Sequence, residues 1–188
     1  MLLFMARWDG NPVWLAMDRT NWQFGATDHN LLVVSVQIGK TAIPVAWKVL
    51  NKAGNSNADE RIALMRKVLR FLPKENIKGL LADREFIGQH WLNWLIAQDI
   101  PCVIRLRHNL YATLEDGRSI KVEELFSMVQ QGCPSARIRA SLKGNVAVTL
   151  QAKRTDKGLI IVAFHGLQDA AEPVNLYRKR WNIECAFA

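Results

Sequence analysis

The sequence predicts an α/β protein, a mixed sheet with helices against it. Three observations predict it. Several apolar runs show no alternation, as strands buried on both faces do. Two later segments repeat apolar residues at helical spacing. The order reads three strands, helix, strand, helix, strand, which gives a mixed sheet flanked by helices. A chain of 188 residues with 49% hydrophobic residues and seven Trp can fill such a core. That length suits one domain with a small inserted subdomain.

Val13 to Asp18, VWLAMD, is the first buried run and ends in a carboxylate. Thr27 to Asn30, TDHN, supplies turn residues. Leu31 to Gly39 is the second strand, rich in β-branched residues, and Gly39-Lys40 turns it. Thr41 to Leu50 follows as the third, so the three form an antiparallel meander. Pro44 in that run predicts an edge position or a bulge. Asn57, with Glu60 three residues on, starts a helix with a capping box. Ile62, Met65, Val68, Leu69 and Leu72 continue it, and Pro73 closes it. Ile77 to Asp83, IKGLLAD, is a second buried run ending in a carboxylate. A helix with Trp91, Leu92, Leu95 and Ile96 on one side precedes the fifth strand, PCVIRLR.

Residues 108–172 read as a β-rich insertion between residues 1–107, the first part of the core, and residues 173–188, its last helix. A hairpin is predicted around Asp116-Gly117. Three further strands follow, with turns at Lys143-Gly144-Asn145 and Lys157-Gly158. The insertion is basic, carrying Arg137, Arg139, Lys143, Lys153, Arg154 and Lys157.

The net charge of +8 points to an anionic partner, of which nucleic acid is the usual one. No apolar run is long enough to span a bilayer, and the apolar stretch before Arg7 is too short for a secretory signal. Mean hydropathy of -0.04 argues against disorder. Cys102, Cys133 and Cys185 are odd in number and show no C-x-x-C pattern. They signal neither a zinc knuckle nor a disulfide framework, and a reducing cytoplasm fits them.

The segment Tyr177 to Ala188, YRKRWNIECAFA, reads as a helix. At roughly 100° per residue, Tyr177, Trp181, Ile183, Phe187 and Ala188 share one broad apolar arc. Arg178, Lys179 and Asn182 lie opposite. Arg180 and Glu184 fall inside the arc, where a charge is costly unless paired or metal-bound. An i, i+4 ion pair between them would satisfy both. So would a shared role with the acids that end the two buried strands, Asp18 and Asp83. Carboxylates at strand ends can converge at the mouth of a sheet. Three such groups repel unless a cation neutralises them. Mg²⁺ prefers oxygen ligands and keeps positions open for phosphate. Two ions held this way can activate a water or a 3′-hydroxyl and stabilise the leaving oxygen of a phosphodiester. Each acid also has a plainer reading: Asp18 as a strand-end turn residue, Asp83 as an N-cap for the segment beginning REF, and Glu184 as a partner of Arg180 alone.

Tyr177, two residues, Arg180, three residues and Glu184 match a Y-x2-R-x3-E signature. MDRTNW, Met17 to Trp22, and ADREFIG, Ala82 to Gly88, surround the two aspartates. With these blocks in order, the chain resembles the ribonuclease-H-like catalytic core of insertion-sequence DDE transposases. The β-rich insertion before the last acid is characteristic of the same group. The resemblance implies a metal-dependent recombinase. Such an enzyme hydrolyses phosphodiester bonds at transposon ends and joins the freed 3′ ends to target DNA. It implies Asp18, Asp83 and Glu184 as catalytic ligands of two Mg²⁺ (or Mn²⁺) ions. It also implies Tyr177, Arg180, Arg84 and Lys179 as DNA contacts. Double-stranded DNA, a homodimeric active complex and action at the nucleoid in the bacterial cytoplasm follow from it. The signature usually continues with a Lys seven positions after the Glu, beyond Ala188. Only seventeen residues precede Asp18, so the resemblance implies truncation at both ends. A Trp that holds a flipped base in some relatives has no counterpart between Trp94 and Trp181; Tyr111 or Phe164 could stack instead, and their plainer reading is as core or surface aromatics. Two readings compete with an active core. One is an inactive fragment that binds DNA or interferes with intact transposase. The other is a ribonuclease-H-like nuclease of another type.

Overall fold

The computed structural model describes residues 10–24, 27–167 and 172–181, the side chains of residues 21–24 and 27–29 excepted. The elements run β1 (Val13–Phe24), β2 (Thr27–Ile38), β3 (Thr41–Leu50), α1 (Ala58–Leu69), β4 (Ile77–Ala82), α2 (Gln89–Ala97) and β5 (Cys102–Arg105). Then come β6 (Tyr111–Leu114), β7 (Ser119–Lys121), α3 (Val122–Leu125), β8 (Ile138–Leu142), β9 (Val146–Thr155), β10 (Gly158–His165) and α4 (Pro173–Leu176). The strands form one mixed sheet in the order β3-β2-β1-β4-β5-β10-β9-β8-β6-β7. The meander β1–β3 is antiparallel, while β4 joins β1, and β5 joins β4, in parallel. The β-rich segment adds its strands to the same sheet, because β10 lies antiparallel beside β5.

Local chemistry explains most of these elements. Asn57 and Glu60 form the reciprocal capping box that starts α1. Pro44 lies on β3 at the edge of the sheet, where it interrupts no inner ladder. The register also skips there, with Val34 opposite Ala46 and Ser35 opposite Pro44. Edge position and bulge therefore occur together. Gly39 turns β2 into β3 at φ 59°, a backbone conformation that glycine adopts without steric cost.

One face of the sheet is covered by α1 and α2. Ile62, Met65, Val68, Trp91, Leu92 and Leu95 pack on Leu15, Met17, Leu32, Val34, Leu80 and Ile104. On the other face, Val174 and Tyr177 pack on Leu81, Val103, Val162 and Phe164. The helices thus flank the sheet on both sides.

Two expectations change. TDHN is not a turn: Thr27 to Asn30 belong to β2, which pairs continuously with β1 as far as Phe24↔Thr27. Buried Asn30 donates to the carbonyls of Lys52 and Gly54, so its amide serves the strand's flank. The second change concerns the final helix. After α4 the chain tightens into a 3-10 turn, Tyr177–Arg180. Residues i and i+3 eclipse in such a turn, whereas an α-helix brings both i+3 and i+4 near i. Arg180 therefore comes in beside Tyr177, and Trp181 swings out to 60% exposure. Trp181 does not pack on the core with Tyr177; Lys157 Nζ lies 5.9 Å from its ring centroid instead.

Gly79 of β4 sits where Trp14 crosses the strand. A Cβ there would stand 2.6 Å from Trp14 Cζ3 and 3.1 Å from Pro101 O. The ring is rigid, and that carbonyl already accepts from Leu80 N–H at 2.8 Å. Gly79→Ala should lower stability by about 1–3 kcal/mol through overpacking, read as a fall in the urea midpoint. An unchanged midpoint would show that Trp14 yields without cost.

Candidate active site

Strand register brings the first two acids together. The parallel pairing of β1 with β4 reaches Met17↔Ala82. The next residue on each chain segment is an aspartate, Asp18 and Asp83. Side chains alternate along a strand, so both lie on the face of Ala16 and Leu81, the face that α4 covers. Asp18 does not end its strand, since β1 continues opposite β2 with Asp18 paired to Val33. Asp83 stands at the N-cap position of a 3-10 turn, Arg84–Phe86, but its side chain makes no capping bond there. Neither local reading accounts for these carboxylates.

Their partners come from the far end of the chain. Arg180 Nη1 donates to Asp18 Oδ2 at 2.8 Å, across 162 positions of sequence. Tyr177 OH donates to Asp83 Oδ1 at 3.0 Å. Arg180 Nε donates to Tyr177 OH at 3.0 Å, which joins the two pairs into one network. Asp18 Oδ1 accepts from the Arg19 backbone N–H at 2.8 Å. Tyr177 and Arg180 are only 6% and 4% exposed. Burial pushes the Tyr177 phenol up to about 12; nearby Arg180 opposes this, and Asp83 adds to it. The phenol is therefore a neutral donor at ordinary pH.

The sequence placed these four residues at one site, and the structure brings all four together. Tyr177 and Arg180 are read from the resemblance as DNA contacts; here their polar atoms face the two aspartates. Arg84 and Lys179 are exposed to solvent nearby in sequence. Glu184 lies outside the described residues.

A second network was missed. On the α1 side, Arg19 Nε lies 3.3 Å from Glu85 Oε1, and Arg19 Nη1 donates to Asn30 Oδ1 at 3.2 Å. Arg61 donates to the Glu85 carbonyl at 3.0 Å and to Ser56 Oγ at 2.8 Å, with its guanidinium 4.9 Å from the Phe86 ring centroid. Burial pulls the Arg61 guanidinium below its usual value, while Glu85 and Glu60 oppose that. The network ties the residue after Asp18 to the residue two beyond Asp83. Opposite charges beside the two acids were a readable signal for Arg19 and Glu85. Arg61 had none, because it borders an apolar helical stripe.

Asp18 and Asp83 offer only oxygen ligands, and Asp18 Oδ2 already meets a cation, the Arg180 guanidinium. This donor set fits a hard divalent ion such as Mg²⁺ or Mn²⁺. Among the described residues no group of three His, Cys, Asp or Glu is gathered closely enough to hold a metal.

A family model described as a transposase DDE domain matches residues 12–188. This chain belongs to that family. Among solved structures, the piggyBac transposase in its cryo-EM synaptic complex with hairpin DNA is similar over 93% of this chain, with a TM-score of 0.53 and 11% identity. At that identity the likeness is one of fold. The chain spans 39% of that transposase's length. A protein of unknown function from Archaeoglobus fulgidus gives a TM-score of 0.46 at 16% identity, covering 94% of this chain and 96% of that one. Endonuclease V from Bacillus subtilis gives 0.45 at 13% identity, covering 95% and 83%. No curated protein matches the chain. No helix among the described residues is long and apolar enough to cross a membrane.

Two outcomes follow for this transposase domain. Glu85→Ala removes the carboxylate that faces Arg19 and should cost about 1–3 kcal/mol, measured by thermal or urea denaturation. The Tyr177 phenol ionises near 10 when unfolded and near 12 when folded. The fold favours its protonated form, so that contribution is complete below pH ~10 and is lost as the pH rises toward ~12. Stability of the parent should fall more steeply across this window than that of Tyr177→Phe. Parallel curves would assign the loss to other groups.

Proposed function

We propose that this chain is the catalytic core of a DNA transposase. It hydrolyses phosphodiester bonds at transposon ends and transfers the freed 3′-hydroxyl ends into target DNA. The observation that supports this best is the juxtaposition of Asp18 and Asp83 at the end of the β1–β4 ladder, with Tyr177 and Arg180 bonded to them. The sheet order β3-β2-β1-β4-β5, with β4 and β5 parallel to β1, is the arrangement a ribonuclease-H-like core requires.

Asp18 and Asp83, with Glu184 as the third carboxylate, would hold two Mg²⁺ or Mn²⁺ ions. When bound, such ions polarise the scissile phosphate and lower the pKa of the attacking water or hydroxyl. The protein's own part is placement. The sheet fixes the spacing of the two aspartates, and the Arg19–Glu85 bridge braces the segments that carry them. Arg84 and Lys179, both exposed, would meet backbone phosphates, to which the surplus of positive charge also draws the duplex. Double-stranded DNA is the partner, both as transposon ends and as target. Two copies of the chain act in one complex, at the nucleoid in the cytoplasm.

The test is nicking of DNA carrying the element's own terminal repeats, with Mg²⁺, by the parent and by Asp83→Asn. The variant should fall below about 1% of the parent rate, because loss of a ligand removes the metal's stabilisation of the transition state. Equal rates would remove Asp83 from the site. Cutting of branched DNA without preference for the repeats would point to a nuclease of another type.

A further inference from the structure

We propose that Arg180 and Tyr177 are positioning residues that latch the two aspartates when no metal is bound, and that Arg180 competes with a divalent cation for Asp18. The inference rests on the metal-dependent reading above and concerns what holds the acids before the metal arrives. Two carboxylates at matching positions on parallel neighbours repel each other. Without a counter-charge, one of them must protonate or turn away. The guanidinium provides that charge. Its Nη1 reaches Asp18 Oδ2 at 2.8 Å, and its Nε is anchored on Tyr177 OH at 3.0 Å.

The phenol completes the latch. Tyr177 OH accepts from Arg180 and donates its single proton to Asp83 Oδ1. One arginine thus engages one aspartate directly and the other through a hydroxyl. The Arg180 carbon Cζ also lies 5.5 Å from the Tyr177 ring centroid, so the fork is held against the ring's face. A lysine has no planar fork and cannot serve both directions at once.

A metal at Asp18 and the guanidinium at Oδ2 compete for the same negative charge. Metal binding therefore weakens the hold on Arg180 and frees its charge for another anion. A phosphate of the bound DNA is the anion this site would meet. Arg180 then has two successive partners, Asp18 in the resting protein and phosphate in the loaded complex. By linkage, DNA that takes Arg180 raises the affinity for metal, and metal raises the affinity for DNA.

Mn²⁺ binding, measured by calorimetric titration of the full chain without DNA, tests this. Arg180→Gln should bind Mn²⁺ at least about tenfold more tightly than the parent, since the competing cation is gone. Its melting temperature should be lower than the parent's without metal, with the gap narrowing in saturating Mn²⁺. Arg178→Gln removes the same charge from an exposed neighbour in the same turn and should change the affinity less than about twofold. Tyr177→Phe deletes one oxygen within an unchanged shape, so it supplies a second reading if Arg180→Gln does not fold. It should tighten Mn²⁺ binding by about threefold. Saturable binding that is equal or weaker in these variants would overturn the latch and leave the metal-dependent reading standing. No saturable Mn²⁺ binding by the parent would overturn both.

Discussion

The structure depends on the parallel register of β1 against β4. It stops at Met17↔Ala82 and leaves two aspartates side by side on one face of the sheet. Neighbouring strands lie about 4.8 Å apart. Two unit charges at about 5 Å, in an effective dielectric of about 20, repel by about 3 kcal/mol. A fold of ordinary stability holds only ~5–15 kcal/mol in total. The register therefore imposes a cost that the rest of the molecule has to answer, and the surrounding elements can be understood as that answer. Arg180 brings the compensating charge, Tyr177 shares it between the acids, and the Arg19–Glu85 bridge holds the two segments from the opposite face.

Delivering Arg180 to that place explains the long excursion before it. After β5 the chain crosses to the far edge of the sheet, where β6 and β7 pair, and then steps back inward through β8 and β9 to β10, which pairs with β5. Beyond β10, Val174 and Tyr177 settle on Leu81, Val103, Val162 and Phe164. Two of these apolar anchors, Val162 and Phe164, belong to the returning strand itself. The β-rich segment thus supplies half the bed on which the last turn rests. Strands added to the edge of the core sheet and the geometry of the acids are in this way one construction.

Much of this was legible in the residues. Unalternating runs gave the buried strands, the Asn57–Glu60 box gave the start of α1, and Pro44 marked the edge and bulge of β3. Legibility failed where tertiary contact overrode local preference. TDHN has the composition of a turn, yet continuous pairing with β1 keeps it extended, and Asn30 spends its polarity on the carbonyls of Lys52 and Gly54. The helical arc placed Arg180 correctly among buried groups but put Trp181 there too, because it assumed an α-helical repeat. Arg61 was invisible for a different reason. Its partners, Ser56 Oγ and the carbonyls of Ser56 and Glu85, are mostly backbone groups, and sequence patterns do not reveal which carbonyls a buried guanidinium will find.

The spacing of Tyr177 and Arg180 then acquires a physical reason. In an α-helix residues 180 and 181 would both neighbour Tyr177, and 181 is an exposed Trp here. The 3-10 repeat of three residues per turn instead eclipses residues separated by two others. In that turn the guanidinium reaches past the phenol to Asp18 while the phenol points to Asp83. A 3-10 turn has poorer hydrogen-bond geometry than an α-helix and rarely persists. Its presence here is explained by what it brings together, since four polar groups from three distant segments find partners at once. The pairing of the acids and the geometry of this turn therefore support each other.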